Sequence, residues 1–295
     1  MERRTYDLPA RGGAVAGVHF GRTSNPLKLV FLHANGFCAQ SYANVLEPLG
    51  VHALAIDLRG HGRTTLPADP GDLKSWNLFR DDVVTFFDAH VDAPVMLAGH
   101  SLGAVTGILA ARKLGKHIHS FVGFDPVLLP RAWRYVARLP GYRAYSKRRF
   151  SLARNAGRRR DIFESREAAF AHYQGRGAYK RFPEAVLRDY LAGGLRAEGD
   201  HFRLACAPAW EQAIFIAQTH DALGAARALP RFSRIVFAGR GAPHTPGSRK
   251  AMAKALGPDR ISQDVELGHL FPFERPELAT EVLRAALTEV GFARR

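Results

Sequence analysis

Ser101 stands in the pentapeptide Gly99-His100-Ser101-Leu102-Gly103, preceded by the apolar run Val95–Ala98 and followed by the Ala-rich stretch Leu102–Leu114. A serine flanked in this way, with a buried strand before it and a helix start behind it, has the spacing of a nucleophile held on a sharp strand-to-helix turn. Gly99 and Gly103 are needed there because side chains would collide with the neighbouring strand and helix. The turn projects the hydroxyl beyond the edge of the sheet. It also leaves the Leu102 N–H at the first turn of a helix, where no intrahelical acceptor reaches it and it can stabilise a developing oxyanion.

Acyl transfer calls for a second such donor. The apolar run Leu27–Leu32 ends in His33-Ala34-Asn35-Gly36-Phe37, a loop at the C-terminal end of an expected strand. The Asn35 N–H is the first choice for the second donor, with the Phe37 N–H one register step away. His33 is expected to order this loop rather than to move a proton. Another strand ends in Asp57-Leu58-Arg59-Gly60-His61-Gly62. Its two glycines make a tight connection that shapes the floor of the site, and neither Asp57 nor His61 is assigned a catalytic role.

These residues need a scaffold that brings strand ends together. Leu27–Leu32, Val51–Ile56, Val95–Ala98, Phe121–Phe124 and Ile235–Ala238 are continuous apolar runs, the pattern of strands buried on both faces. Ala14–His19 is expected as an edge strand and Arg260–Val265 as the last one. Helices are expected at Trp76–Ala89, Leu102–Leu114, Arg249–Leu256 and Pro276–Val290, the last opened by Pro and closed by Gly291. The alternation predicts an α/β fold with a mainly parallel, doubly wound sheet. It stops after Asp125-Pro126. From there to about Pro230 the pattern is helical and basic, with Glu167–Gln174, Pro183–Leu191 and Glu211–Gln218 as short helices. Gly193-Gly194 and Gly199 fall between these as breaks. An insertion of about 100 residues is too long for a loop. Residues 1–126 and 231–295 are therefore expected to form the core, and 127–230 a helical cap.

The 295 residues are 46% hydrophobic and carry a formal charge of +15. No run of about 18 apolar residues is present, so no spanning helix is expected. The polar start Met1-Glu2-Arg3-Arg4 lacks the apolar core of a signal peptide. Two distant cysteines, Cys38 and Cys206, suit neither a disulfide framework nor a zinc site, and a reducing cytoplasm is the expected setting. The charge is uneven, with 18 Lys/Arg against 7 Asp/Glu between Val127 and Ala205. Attraction of an anionic substrate, a polyanion or an acidic membrane surface would use such a field. A merely solvated Arg-rich face is the plainer explanation. No nucleic-acid module pattern accompanies it, and no nucleic-acid partner is expected.

In their order, H-x-N-G at His33, D-L-R-G-H-G at Asp57, G-H-S-L-G at Gly99 and a late Gly268-His269 resemble the α/β-hydrolase superfamily with a helical cap. The resemblance spans essentially the whole chain. The H-A-N-G-F form, with Leu204-Ala205-Cys206-Ala207-Pro208-Ala209-Trp210-Glu211 in the cap, is similar to a bacterial subgroup of esterase-like hydrolases. The resemblance implies a general base on a loop after the last strand, and His269 fits, freed by Gly268 and anchored by the Pro276 helix. It also implies an acid. In most members the acid follows the strand placed at Ile235–Ala238, but Gly239-Arg240-Gly241-Ala242-Pro243-His244-Thr245 contains no carboxylate. Asp125, at the end of the preceding strand, takes that place, with a Ser-His dyad or Glu211 as the remaining options. A carboxylate nucleophile is absent at position 101, which disfavours the dehalogenase and epoxide hydrolase branches. The expected activity is hydrolysis of a small-molecule carboxylic ester, with no metal or organic cofactor. Other acyl or C–C bond cleavage, acyl transfer, or a ligand-receptor role on the same fold remain alternatives.

Overall fold

The computed structural model describes residues 1–293. Eleven strands build two sheets. The larger has the order β1-β2-β4-β3-β5-β6-β10-β11, from Glu2–Leu8, Gly13–Phe20, Ala53–Ile56, Leu29–Leu32, Val95–His100, Ile118–Phe124, Phe232–Arg240 and Ile261–Gly268. β1, β2 and β4 pair antiparallel, and every pairing from β4 through β11 is parallel. The central strands β3, β4 and β5 are buried along their whole length, as their uninterrupted aliphatic sequences require when helices cover both faces.

One face is covered by the helices Asn77–His90 and Leu102–Leu114, packed around Val83, Phe86, Val105 and Phe121. The other is covered by Pro276–Glu289, with Leu283 and Leu287 against Phe31, Met96 and Val122. Parallel strands of similar length bring Leu32, His100 and Phe124 to one edge, in the register Leu32↔Gly99 and His100↔Phe124. The candidate site occupies that edge.

Four features differ from the sequence-based expectation. The edge strand is β1, not Ala14–His19, which lies second in the sheet. β1 is exposed along most of its length, so it carries no apolar alternation to mark it; its charges are those of a guarded edge. The last strand extends to Gly268. Within 127–230 a second, three-stranded antiparallel sheet joins the helices, in the order β7-β9-β8 from Ile162–Phe163, His201–Leu204 and Leu195–Glu198, so this stretch is mixed rather than purely helical. Gly199 does break the chain as expected, in the tight turn joining β8 to β9, where Glu198 pairs with His201.

Gly193 and Gly194, by contrast, do not break the chain, since the helix Glu184–Gly194 runs through both. At Gly193 a Cβ would lie 2.6 Å from Cys38 Sγ and 2.8 Å from Gln40 Cβ. The residue is small because this helix presses directly onto the loop that follows β3. Gly193→Val should push the two apart and destabilise the fold by about 1–3 kcal/mol. A lowered urea midpoint at unchanged m would show this, and an unchanged midpoint would dismiss the contact.

Candidate active site

β5 ends at His100 and the next helix begins at Leu102, leaving Ser101 alone to reverse the chain. It does so at φ 54°, ψ −112°. Its N–H is held by the Phe124 carbonyl at 2.9 Å. A Cβ on Gly99 would lie 2.5 Å from the Gly103 carbonyl carbon, and one on Gly103 would run into the Leu32 carbonyl. The two glycines thus let the helix, β5 and β3 meet without intervening side chains. The second non-glycine residue with positive φ among the described residues is Asp125, at 40°. Such conformations cost on the order of 1–3 kcal/mol each, and persist where surrounding structure over-determines them.

The tertiary fold brings Ser101, His269 and Asp125 together. His269 Nε2 accepts from Ser101 Oγ at 3.0 Å, and its Nδ1–H donates to Asp125 Oδ2 at 2.6 Å. Asp125 is fully buried. Its Oδ1 accepts the Ala238 N–H at 2.9 Å, at the point where β10 outruns β6, and His244 Nε2–H at 3.2 Å. Burial alone would raise its pKa, but hydrogen bonds from His244 and His269, with the charge interaction of His269, hold it at about 2. His244 Nδ1 accepts from Arg249 at 3.3 Å, which leaves Nε2 as the protonated nitrogen facing the carboxylate.

The loop after β3 has most of its amides engaged. Ala34 N–H donates to Tyr42 Oη, Gly36 N–H to His61 Nε2, and Phe37 N–H to the Ala34 carbonyl. Among the described residues the Asn35 N–H is the one amide from 34 to 37 without such a partner. Leu102 N–H lies in the first helical turn next to Ser101. His33 is engaged at both nitrogens, Nδ1 donating to the Ala34 carbonyl and Nε2 accepting the Leu58 N–H. Asp57 accepts the Ala39 and Arg63 amides and Arg3, so it ties the site's floor together. Glu211 lies against Gly36 in an ion pair of 2.5 Å with Arg159, whose other nitrogen donates to Tyr173, Tyr179 and Tyr190. Asn35 Nδ2 donates to the Glu211 carbonyl at 3.1 Å.

Two residues escaped the reading of the sequence. His100 links both halves of the site: Tyr42 Oη–H donates to its Nδ1 at 2.8 Å, and its Nε2–H donates to the His269 carbonyl at 2.8 Å. Its position beside Ser101 was a signal. His244 had none, since its partner Asp125 lies 119 residues away in the chain. Among the described residues, no group of three or more His, Cys, Asp or Glu side chains is placed to hold a metal ion, and Cys38 and Cys206 are buried free thiols.

A family model described as "Alpha/beta hydrolase family" matches residues 29–281. The chain belongs to that family. Over 135 residues this α/β-hydrolase is 32% identical to protein phosphatase methylesterase 1 of Schizosaccharomyces pombe, a match covering 41% of this chain and 39% of that one. The chain thus spans about two fifths of the length of the curated relative it matches. Among solved structures, E-2-(acetamidomethylene)succinate hydrolase aligns with a TM-score of 0.76 at 20% identity, over 97% of this chain and 99% of that one. A thermophilic esterase from Thermogutta terrifontis aligns at 0.67 and 18% identity, over 98% and 99%. At these identities the likeness is one of fold. No helix among the described residues is long and apolar enough to cross a membrane.

Three buried histidines around the loops resist protonation. Desolvation lowers His33 to about 4, and His61 and His100 to about 3, from 6.5. An unfolded chain takes up these protons below about 6.5, whereas the folded chain does so only near 3 to 4. Their contribution is complete above pH 6.5 and is lost as pH falls toward 4, at up to about 1.4 kcal/mol per pH unit for each group. Asp125, depressed from 3.8 to about 2, adds a separate loss below that window, as pH falls from about 3.8 toward 2. Urea unfolding should show stability falling steeply between about pH 6.5 and 4. A flat profile there would mean these imidazoles are not buried as neutral groups.

Proposed function

We propose that this α/β-hydrolase cleaves carboxylic esters through an acyl-enzyme on Ser101. One observation carries the reading: an unbroken hydrogen-bonded run from Ser101 Oγ through His269 to a buried, ionised Asp125, with both ends of the run in strained backbone. His269 takes the Ser101 proton as Oγ attacks the acyl carbonyl. The negative charge that develops on the carbonyl oxygen is stabilised by the N–H groups of Leu102 and Asn35. Collapse of the tetrahedral intermediate breaks the C–O bond, and His269 hands its proton to the departing alcohol. Water then repeats the sequence on the acyl-enzyme, with His269 again as base, releasing the carboxylic acid and restoring Ser101. Asp125 keeps the Nδ1 proton in place and balances the transient imidazolium. No step calls for a metal or an organic cofactor.

The 32% identity to a methylesterase over 135 residues supports an ester substrate. In this reading residues 127–230 form a lid. Glu211, pressed on Gly36 and accepting the Asn35 side chain at its carbonyl, belongs with its ion-pair partner Arg159 to the machinery that positions the oxyanion loop.

A fluorophosphonate probe should label the wild-type protein and fail on Ser101→Ala. No labelling of wild type, or undiminished labelling of the variant, would remove the enzyme assignment and favour a ligand-receptor role. Asp125→Asn puts an NH2 group among three converging donors, so His269 loses its orientation or its tautomer. Turnover of a nitrophenyl ester should fall about 10³–10⁴-fold with the fold retained by circular dichroism. Turnover within about tenfold of wild type would dismiss Asp125 as the acid.

A further inference from the structure

Residues 131–160 contain eleven Lys and Arg and no Asp or Glu. The same thirty residues hold seven of the eleven large hydrophobic side chains exposed on the described surface: Trp133, Tyr135, Val136, Leu139, Tyr145, Phe150 and Leu152, between 38% and 67% exposed. Soluble surfaces scatter such residues singly, and a concentration of them marks an interaction site.

The charge is largely uncompensated. Arg131 and Arg134 share Asp221, and Arg159 is held by Glu211. Arg143 caps the Leu73 and Pro70 carbonyls. Among the described residues, Arg138, Lys147, Arg148, Arg149, Arg158 and Arg160 have no carboxylate partner. The helices Tyr142–Arg149 and Ser151–Ala156 that carry much of this layer pack on Pro208–Ile216. That helix contacts the loop next to Ser101 through Glu211.

We propose that this layer is a peripheral docking surface for a bilayer rich in anionic phospholipid. Charge complementarity selects the occupant. Lysines and arginines near an anionic leaflet each add an attraction, and long basic side chains can keep their charges at the headgroups while their stems lie along apolar surface. Trp133, Tyr135 and Tyr145 suit the headgroup boundary, where an aromatic ring is half wet. Exposed Val136, Leu139 and Leu152 gain by entering hydrocarbon, and offer nothing to a nucleic acid, which would instead ask for stacking platforms along a groove. The attachment is that of an interfacial surface, with no spanning helix involved.

The surface is independent of the ester-hydrolase reading, and the experiment separates the two. Full-length protein is sedimented with vesicles of pure phosphatidylcholine or of phosphatidylcholine mixed with phosphatidylserine. Ser101→Ala should bind as wild type does, since docking does not use the nucleophile. Binding is expected to the mixed vesicles, weakly to the neutral ones, and to fall as salt rises. Lys147→Gln/Arg148→Gln/Arg149→Gln should weaken it about a hundredfold. Leu139→Ser/Leu152→Ser should weaken it about tenfold at unchanged charge. All these positions are exposed, so circular dichroism and ester turnover in vesicle-free buffer should stay at wild-type levels. Failure to bind the mixed vesicles overturns the proposal. So does full binding by the leucine variant together with displacement by single-stranded RNA, which would make the layer a polyanion site.

Discussion

A charged carboxylate cannot sit in a protein interior without donors, and Asp125 has three of them converging from two stretches of chain far from it in sequence. Ala238 N–H comes from β10, His244 from the turn that follows it, and His269 from the loop after β11. Removing water from a carboxylate costs several kcal/mol unless such partners replace it. The placement of β6, β10 and both following loops is therefore coupled to one side chain. β10 continues past the end of β6, and the Asp125 carboxylate supplies the acceptor that the missing strand would have provided for Ala238. The same side chain that completes the sheet edge orients the imidazole next to Ser101.

The opposite side of the site depends on neutral hydrogen bonds. Ala34 N–H, Tyr42, His100 and the His269 carbonyl form a continuous run across the strand ends. It joins the loop carrying the free Asn35 amide to the loop carrying the histidine. His100 can play this part only as a neutral imidazole, since one nitrogen must accept while the other donates. Buried polar runs of this kind tolerate no missing member, because each group left over would be desolvated without compensation.

The stretch from 127 to 230 is bound to this framework at several points. Trp210 donates to the Arg59 carbonyl, Trp76 to the Ile214 carbonyl and Asn35 to the Glu211 carbonyl. Gly193 lets a helix touch Cys38. Its inner side is thus aromatic and well packed, with Tyr173, Tyr179 and Tyr190 gathered on Arg159. The exposed charges and rings between Trp133 and Leu152 lie on the outer side, where the rest of the molecule leaves them uncovered. One segment therefore has two physically distinct faces, and the proposals for lid and surface rest on different sides of it.

What was legible in the sequence is what short-range sterics and burial dictate. The turn at Ser101 needs its glycines within two residues on either side, and the central strands announce themselves because both faces are buried. The family and the parallel sheet could be read from those runs. β1 could not, because an exposed edge strand needs no apolar pattern. Gly193 and Gly199 looked alike as breaks, yet one serves a packing contact and the other a hairpin turn, a difference that lies in what each residue meets in space. That Asp125 lies 2.6 Å from His269 could not be read from the sequence, nor that His244 reaches the same carboxylate once β6 and β10 are side by side. Local geometry is encoded by neighbours in the chain. A buried charge is held by donors that come from distant parts of the sequence, so its surroundings exist only in the tertiary structure.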